Sequence, residues 1–100
     1  MKTQCDIGLI GLAVMGENLV RNMAGKGVRV AVYNRTASVV QAFVEGVARD
    51  LPVCAAESIA ELMTMLARPR RVMLMVKAGR PVDEMIAQLL PHLEAGDIVI

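Results

Sequence analysis

Aromatic residues are almost absent from this sequence: Tyr33 and Phe43 are the only two, and there is no tryptophan. Surfaces that hold bases by stacking them on several rings are therefore not supported. Charge of one sign is also missing, since eleven basic and ten acidic residues leave a net charge of +1. That is too little for the basic footprint of a nucleic-acid binder. Cysteine is scarce, and Cys5 and Cys54 match neither a metal-ligand nor a redox spacing. They read as buried thiols of a protein kept in a reducing cytoplasm. With His92 the single histidine, no metal site is expected. No apolar run reaches the ~18 residues that a membrane span needs. The opening Met1-Lys2-Thr3-Gln4-Cys5-Asp6 lacks the pattern of a signal peptide.

What is abundant is small and aliphatic. Hydrophobic residues make up 55% of the 100-residue chain, and eight glycines add to that. The sum exceeds the apolar fraction, glycine included, of about 45–50% in ordinary domains. One hundred residues make one domain or less. Asp97-Ile98-Val99-Ile100 reads as the opening of a buried strand with no turn residue after it. The expectation is the N-terminal, incomplete part of a longer protein.

Apolar runs alternate with helical patterns along the whole chain. Ile7-Gly8-Leu9-Ile10 is followed by Gly11-Leu12-Ala13-Val14-Met15-Gly16 and a helix carrying Leu19, Met23 and Lys26. Val28 to Tyr33 is a second strand, after which Val39, Val40, Phe43, Val44 and Val47 recur at helical spacing. Pro52-Val53-Cys54 is a weak third strand, and Ser58 with Glu61 forms a capping box ahead of Ile59, Leu62, Met63 and Leu66. Arg68, Arg70 and Arg71 surround Pro69 and read as a solvated loop suited to a helix C-terminus. Val72 to Val76 has the continuous apolar character of a parallel strand buried on both faces. Pro81 suits a first helical position, Val82, Met85, Ile86 and Leu89 form a stripe, and Pro91 ends or kinks that helix. Five strands alternating with four helices predict an α/β fold, a Rossmann-like doubly wound parallel sheet of order 3-2-1-4-5 truncated at its C-terminus.

The stretch from Gly11 to Gly16 gives that sheet a chemistry. A small-residue turn between a strand and a helix allows a tight exit, close backbone approach to a pyrophosphate, and close helix packing. The pyrophosphate would meet unpaired N–H groups at the positive end of the helix. Ala13 stands at the second small position, one methyl larger than the usual glycine. At the end of the second strand, an acidic residue would accept from the ribose 2′-hydroxyl of NAD. This sequence has neutral Asn34 there, followed by Arg35 and Thr36. A guanidinium pairs with phosphate oxygens, so this position reads as recognition of the 2′-phosphate of NADP. The alternative is a solvated Arg35 and a Thr36 that merely caps its helix. Lys77 reads as a loop residue whose backbone borders the nicotinamide side, and His92 as a surface residue remote from the cleft. Met63, Met65, Met73, Met75 and Met85 fall on core stripes.

Gly11-Leu12-Ala13-Val14-Met15-Gly16-Glu17-Asn18, Asn34-Arg35-Thr36 and Met75-Val76-Lys77-Ala78-Gly79 together resemble the N-terminal domain of the 6-phosphogluconate dehydrogenases. Pro69-Arg70-Arg71 and Gly96-Asp97-Ile98-Val99-Ile100 extend the likeness over nearly the whole chain. Ala13 is the residue this family has at that position. The resemblance implies an oxidoreductase of the pentose phosphate pathway that oxidatively decarboxylates 6-phosphogluconate to ribulose 5-phosphate and CO2, with NADP as hydride acceptor. It carries cofactor contacts to Gly11, Leu12, Ala13, Val14, Met15 and Gly16, to Asn34, Arg35 and Thr36, and to Val76, Lys77 and Ala78. It places the substrate segment, the catalytic residues and a helical domain that forms a homodimer beyond Ile100. Residues 1–100 are then a cofactor platform with no catalytic residue, expected to bind NADP without turnover. The competing readings are a non-catalytic NADP-sensing regulatory module and a related 3-hydroxyacid dehydrogenase.

Overall fold

The β-branched run ending in Tyr33 and the glycine-bounded run before it pair side by side, and the sheet grows outward from them. A computed structural model describes residues 4–76 and 79–100. The strands are β1 (Ile7–Ile10), β2 (Val30–Tyr33), β3 (Val53–Ala55), β4 (Arg71–Leu74) and β5 (Ile98–Val99). The helices are α1 (Val14–Gly25), α2 (Ala37–Glu45), α3 (Ile59–Met65) and α4 (Arg80–Leu89), the last continuing into a 3-10 turn at Leu90–His92. Every strand pair is parallel, in the order β3-β2-β1-β4-β5. The order expected from the sequence is the order observed.

Alternation along the strands divides the core into two layers. On one face Leu9, Val30 and Val32 meet Val20 of α1 and Val40 and Phe43 of α2. On the other, Ile10, Ala31 and Val72 meet Leu62 of α3 and Met85 and Leu89 of α4. Successive side chains of a strand point to opposite faces, so each buried strand feeds both layers. Burying one such aliphatic side chain contributes about 1.5–3 kcal/mol. Among the described residues no helix is long and apolar enough to cross a membrane.

Several local expectations are revised. The second helix stops at Glu45, so Val47 lies outside its stripe and is 57% exposed. The fourth strand ends at Leu74, and Met73, Leu74, Met75 and Val76 are half-buried rather than enclosed. Met73 and Met75 lie at the margin of the α1–α2 layer, and Leu74 and Val76 at the margin of the other. The capping box forms with one change of partner. Ser58 Oγ accepts the Glu61 N–H at 3.1 Å, and Glu61 reaches back to the N–H of Glu57 at 2.9 Å.

The largest revision concerns Arg70, which is buried rather than solvated. Its Nε donates to the Met63 carbonyl at 3.0 Å, and one terminal nitrogen donates to the His92 carbonyl at 3.0 Å and to Asp97 Oδ2 at 3.3 Å. The Asp97 carboxylate also accepts the N–H groups of Arg70 at 2.7 Å and Glu94 at 2.9 Å. Arg70 thus ties α3, the turn after α4 and the approach to β5 together where β4 and β5 begin. A buried guanidinium is tolerable only when its hydrogen bonds are met in this way.

Two titrations follow from this packing. The N–H of Glu94, then that of Arg70, with the guanidinium adding to them, hold the Asp97 carboxyl below the ordinary carboxylate range. A depressed folded-state value stabilises the fold above the unfolded value of about 3.9, and that contribution is lost as pH falls through the folded value. Asp97→Asn should therefore melt lower than the parent at neutral pH, with the difference shrinking on acidification, as read by thermal melts across that range. Burial, with Cys54 nearby adding to it, pushes the Cys5 thiol up to about 12. An alkylating reagent at neutral pH should leave Cys5 unmodified in the native protein and modify it in denaturant, as mass spectrometry would resolve.

Candidate functional site

Because all five strands run parallel, their carboxyl ends lie on one edge of the sheet, where ligands of such folds bind. The β1–α1 connection emerges there, and its conformation follows from two glycines. Gly11 has φ of +106°, and a Cβ on it would run into the Met75 carbonyl, with the carbonyl carbon at 2.8 Å. Gly16 is the third residue of α1, where a Cβ would collide with the Gly11 carbonyl oxygen. From the sequence, the small residue at Gly16 is expected to allow close packing of the helix. The structure shows it admitting the backbone of the turn itself, with Leu9 of β1 next at 3.5 Å.

The helix begins inside the motif, with Val14, Met15 and Gly16 as its first turn and Ala13 as its N-cap. Ala13 offers no side-chain acceptor, and the first intrahelical bond runs from Glu17 N–H to the Ala13 carbonyl at 2.9 Å. The N–H groups of the first turn have no intrahelical partner and face the edge where a ligand would lie. Val14 and Met15 are 75% and 69% exposed there, which a core role would not explain.

The end of β2 lies opposite this turn. Gly11 N–H donates to the Tyr33 carbonyl at 2.9 Å, and Leu12 N–H donates to Asn34 Oδ1 at 2.9 Å. Arg35 is exposed and makes no ion pair among the described residues. Thr36 is the N-cap residue of α2, yet its side chain makes no capping hydrogen bond. Its hydroxyl is thus not committed to the helix by a capping bond. A cavity of about 190 Å³ opens between Gly11, Asn34 and Arg35 on one side and Val76 and α4 on the other. A second, of about 250 Å³, lies between α2 and the β3–α3 connection and shares Tyr33, Asn34 and Arg35 as a wall.

The structure therefore brings Gly11, Leu12, Ala13, Val14, Met15 and Gly16 together with Asn34, Arg35, Thr36 and Val76 on one edge. Lys77 and Ala78, also expected to bind, lie outside the described residues. His92 is remote from this group, its carbonyl bound to Arg70. No group of three or more His, Cys, Asp or Glu suited to a metal occurs among the described residues.

Two features escape sequence reasoning. Pro81, Glu84, Met85 and Gln88 of α4 line the first cavity. Their i, i+3, i+4, i+7 spacing marks one helix face, but nothing in it marks a ligand. Glu84 pairs with Arg80 at 3.3 Å on an exposed surface, an interaction of small net value. The second is the Asn34–Leu12 bond, which joins positions 22 residues apart and has no local signature.

Gly16→Val tests the close approach. The larger side chain has backbone as its neighbour, so the helix must shift, at a cost of about 1–3 kcal/mol. The melting temperature should drop by about 4 °C or more per kcal/mol, whereas Ala13→Gly, at an exposed N-cap, should change it little. Calorimetry of both variants checks the contrast.

The family model of the NAD binding domain of 6-phosphogluconate dehydrogenase matches residues 6–100. A decarboxylating 6-phosphogluconate dehydrogenase of Candida albicans is 60% identical over 95 residues, which cover 95% of this chain and 18% of that protein. One from Haemophilus ducreyi is 54% identical over 100 residues, all of this chain and 21% of the relative. The chain thus spans about a fifth of the length of the curated relatives it matches. Among solved structures, Plasmodium falciparum 6-phosphogluconate dehydrogenase, described apo, with its cofactor NADP+ and with its substrate 6-phosphogluconate, superposes with a TM-score of 0.86. It is 46% identical over 95% of this chain and 21% of its own. An Aspergillus terreus imine reductase, at 20% identity and a TM-score of 0.69 over 86% of this chain and 28% of its own, shares the fold alone.

Proposed function

The chain belongs to the family of the NAD binding domain of 6-phosphogluconate dehydrogenase, and from that premise we propose that it is the NADP-binding domain of a decarboxylating 6-phosphogluconate dehydrogenase. The observation that carries the cofactor choice is the end of β2. An exposed Arg35 without an ion-pair partner among the described residues stands beside a Thr36 hydroxyl not used for capping, opposite the glycine turn. A 2′-phosphate offers the oxygens that a guanidinium and a hydroxyl would bind. A carboxylate, which would repel that phosphate, is replaced by Asn34.

The donor set fits a dinucleotide. First-turn N–H groups of α1 take the pyrophosphate, and Gly11 and Gly16 let the turn pack backbone against backbone. Arg35 and Thr36 take the 2′-phosphate, and Val76, which lines the first cavity, lies on the nicotinamide side; contacts from Lys77 and Ala78 rest on the family resemblance. NADP, when bound, supplies the hydride acceptor for oxidising 6-phosphogluconate to ribulose 5-phosphate and CO2, while the protein supplies position and electrostatics. In this reading the acid–base chemistry, the substrate contacts and homodimerisation fall outside residues 1–100. Residues 1–100 are in this reading an N-terminal cofactor domain that binds NADP without reducing it. The setting is a cytoplasm in which Cys5 and Cys54, free in the structure, stay as thiols.

Isothermal titration with NADP+ and NAD+ tests the assignment. The parent should bind NADP+ more tightly. Arg35→Ala should remove about 1.5–3 kcal/mol from NADP+ binding, the range of a hydrogen bond to a charged group, and far less from NAD+. Equal losses for the two cofactors would sink the role of Arg35.

A further inference from the structure

The arginines around Pro69 have no part in the cofactor edge, yet one of them is buried with donors to spare. The hydrogen bonds of the Arg70 guanidinium use Nε and one terminal nitrogen. Its other terminal nitrogen makes no hydrogen bond among the described residues. No enclosed side-chain nitrogen or oxygen among them goes without a partner, so this nitrogen is reached by solvent. Arg70 lines a cavity of about 540 Å³ between Gln4, the end of α3 and Arg68. That volume is in the range of small-molecule sites.

The geometry also gives the cavity a sign. Arg68 Nε and a terminal nitrogen of Arg70 converge on one carboxylate oxygen, Glu94 Oε1, at 3.2 and 3.9 Å. The two guanidinium groups therefore already stand where they can share an oxyanion. Asp97 is enclosed and committed to Arg70 and to two N–H groups. Glu94 is half exposed, and an ion pair of that exposure is weak enough for a ligand to displace. Other groups on the wall are spent: the Thr64 hydroxyl donates to the Glu61 carbonyl at 2.7 Å, and the Ala67 N–H to the Cys5 carbonyl at 2.9 Å. We propose that Arg68 and Arg70 form a second anion site, where β4 begins, that binds a phosphate group in place of Glu94. The site is separate from the cofactor edge and does not depend on the NADP reading.

Residue-resolved titration tests it. In 15N-labelled protein, inorganic phosphate and glycerol 3-phosphate are added separately, with ionic strength held constant by chloride. The Nε–H signals of Arg68 and Arg70 should move together and saturate with one dissociation constant. Tighter binding of glycerol 3-phosphate would assign the site to phosphate monoesters, and equal or weaker binding to the free ion. Arg68 is largely exposed, so Arg68→Ala should keep the fold. Read on the Arg70 signal, its affinity should fall by about tenfold, the worth of a lost charge-assisted contact. Glu94→Gln removes the competing charge and should bind phosphate up to about fivefold more tightly. Arginine signals that stay in place, or that drift without saturating while the glycine turn responds, would overturn the proposal. Unchanged or weaker affinity in Glu94→Gln would overturn it as well, and each of these results leaves the cofactor reading standing.

Discussion

The structure depends on how closely backbone approaches backbone at the start of α1. Gly16 lies against the Gly11 carbonyl, and Gly11 in turn lies against the Met75 carbonyl beyond β4. No side chain can enter this chain of contacts, so the helix N-terminus, the turn and the end of the fourth strand form one unit. The consequence is electrostatic as well as steric. With Ala13 as a cap that accepts nothing, the first N–H groups of α1 keep their hydrogen-bonding capacity for a ligand. Much of the proposed site is backbone.

A second constraint operates where β4 and β5 begin, at the other edge of the sheet from the site. Arg70 and Asp97 connect α3, the turn at His92 and the approach to β5 through side-chain bonds to carbonyl and N–H groups. β5 is two residues long and, among the described residues, pairs only with β4, so its place depends on contacts of this kind as well as on the sheet. The two edges divide the work. Charged side chains fasten the frame at one, and small residues with one amide hold the β1–α1 turn at the other.

The loops after β1 and β2 meet through Asn34, and this contact relates the fold to the chemistry. A hydrogen bond of this type is worth about 0.5–1.5 kcal/mol in stability. Its larger effect is on direction, because it fixes how the Asn34 amide is turned between the two loops.

The sequence alone determined the alternation of strands and helices, the strand order, the glycine turn and the Asn34-Arg35-Thr36 end of the second strand. These are local, since hydrophobic period and small-residue spacing are set by neighbours in the chain, and crossover handedness leaves few ways to assemble parallel units. The tertiary structure decided what depends on groups far apart in sequence. Arg70 reads as a loop residue until Met63, His92 and Asp97 surround it. Pro81, Glu84 and Gln88 read as an ordinary helix surface until the crossover sets them over the end of β1. Asn34 reads as an uncharged substitute for an acid until Leu12, 22 residues earlier, takes its oxygen. Periodicity shows which side chains are apolar together; which polar atoms find each other is settled only when the layers close.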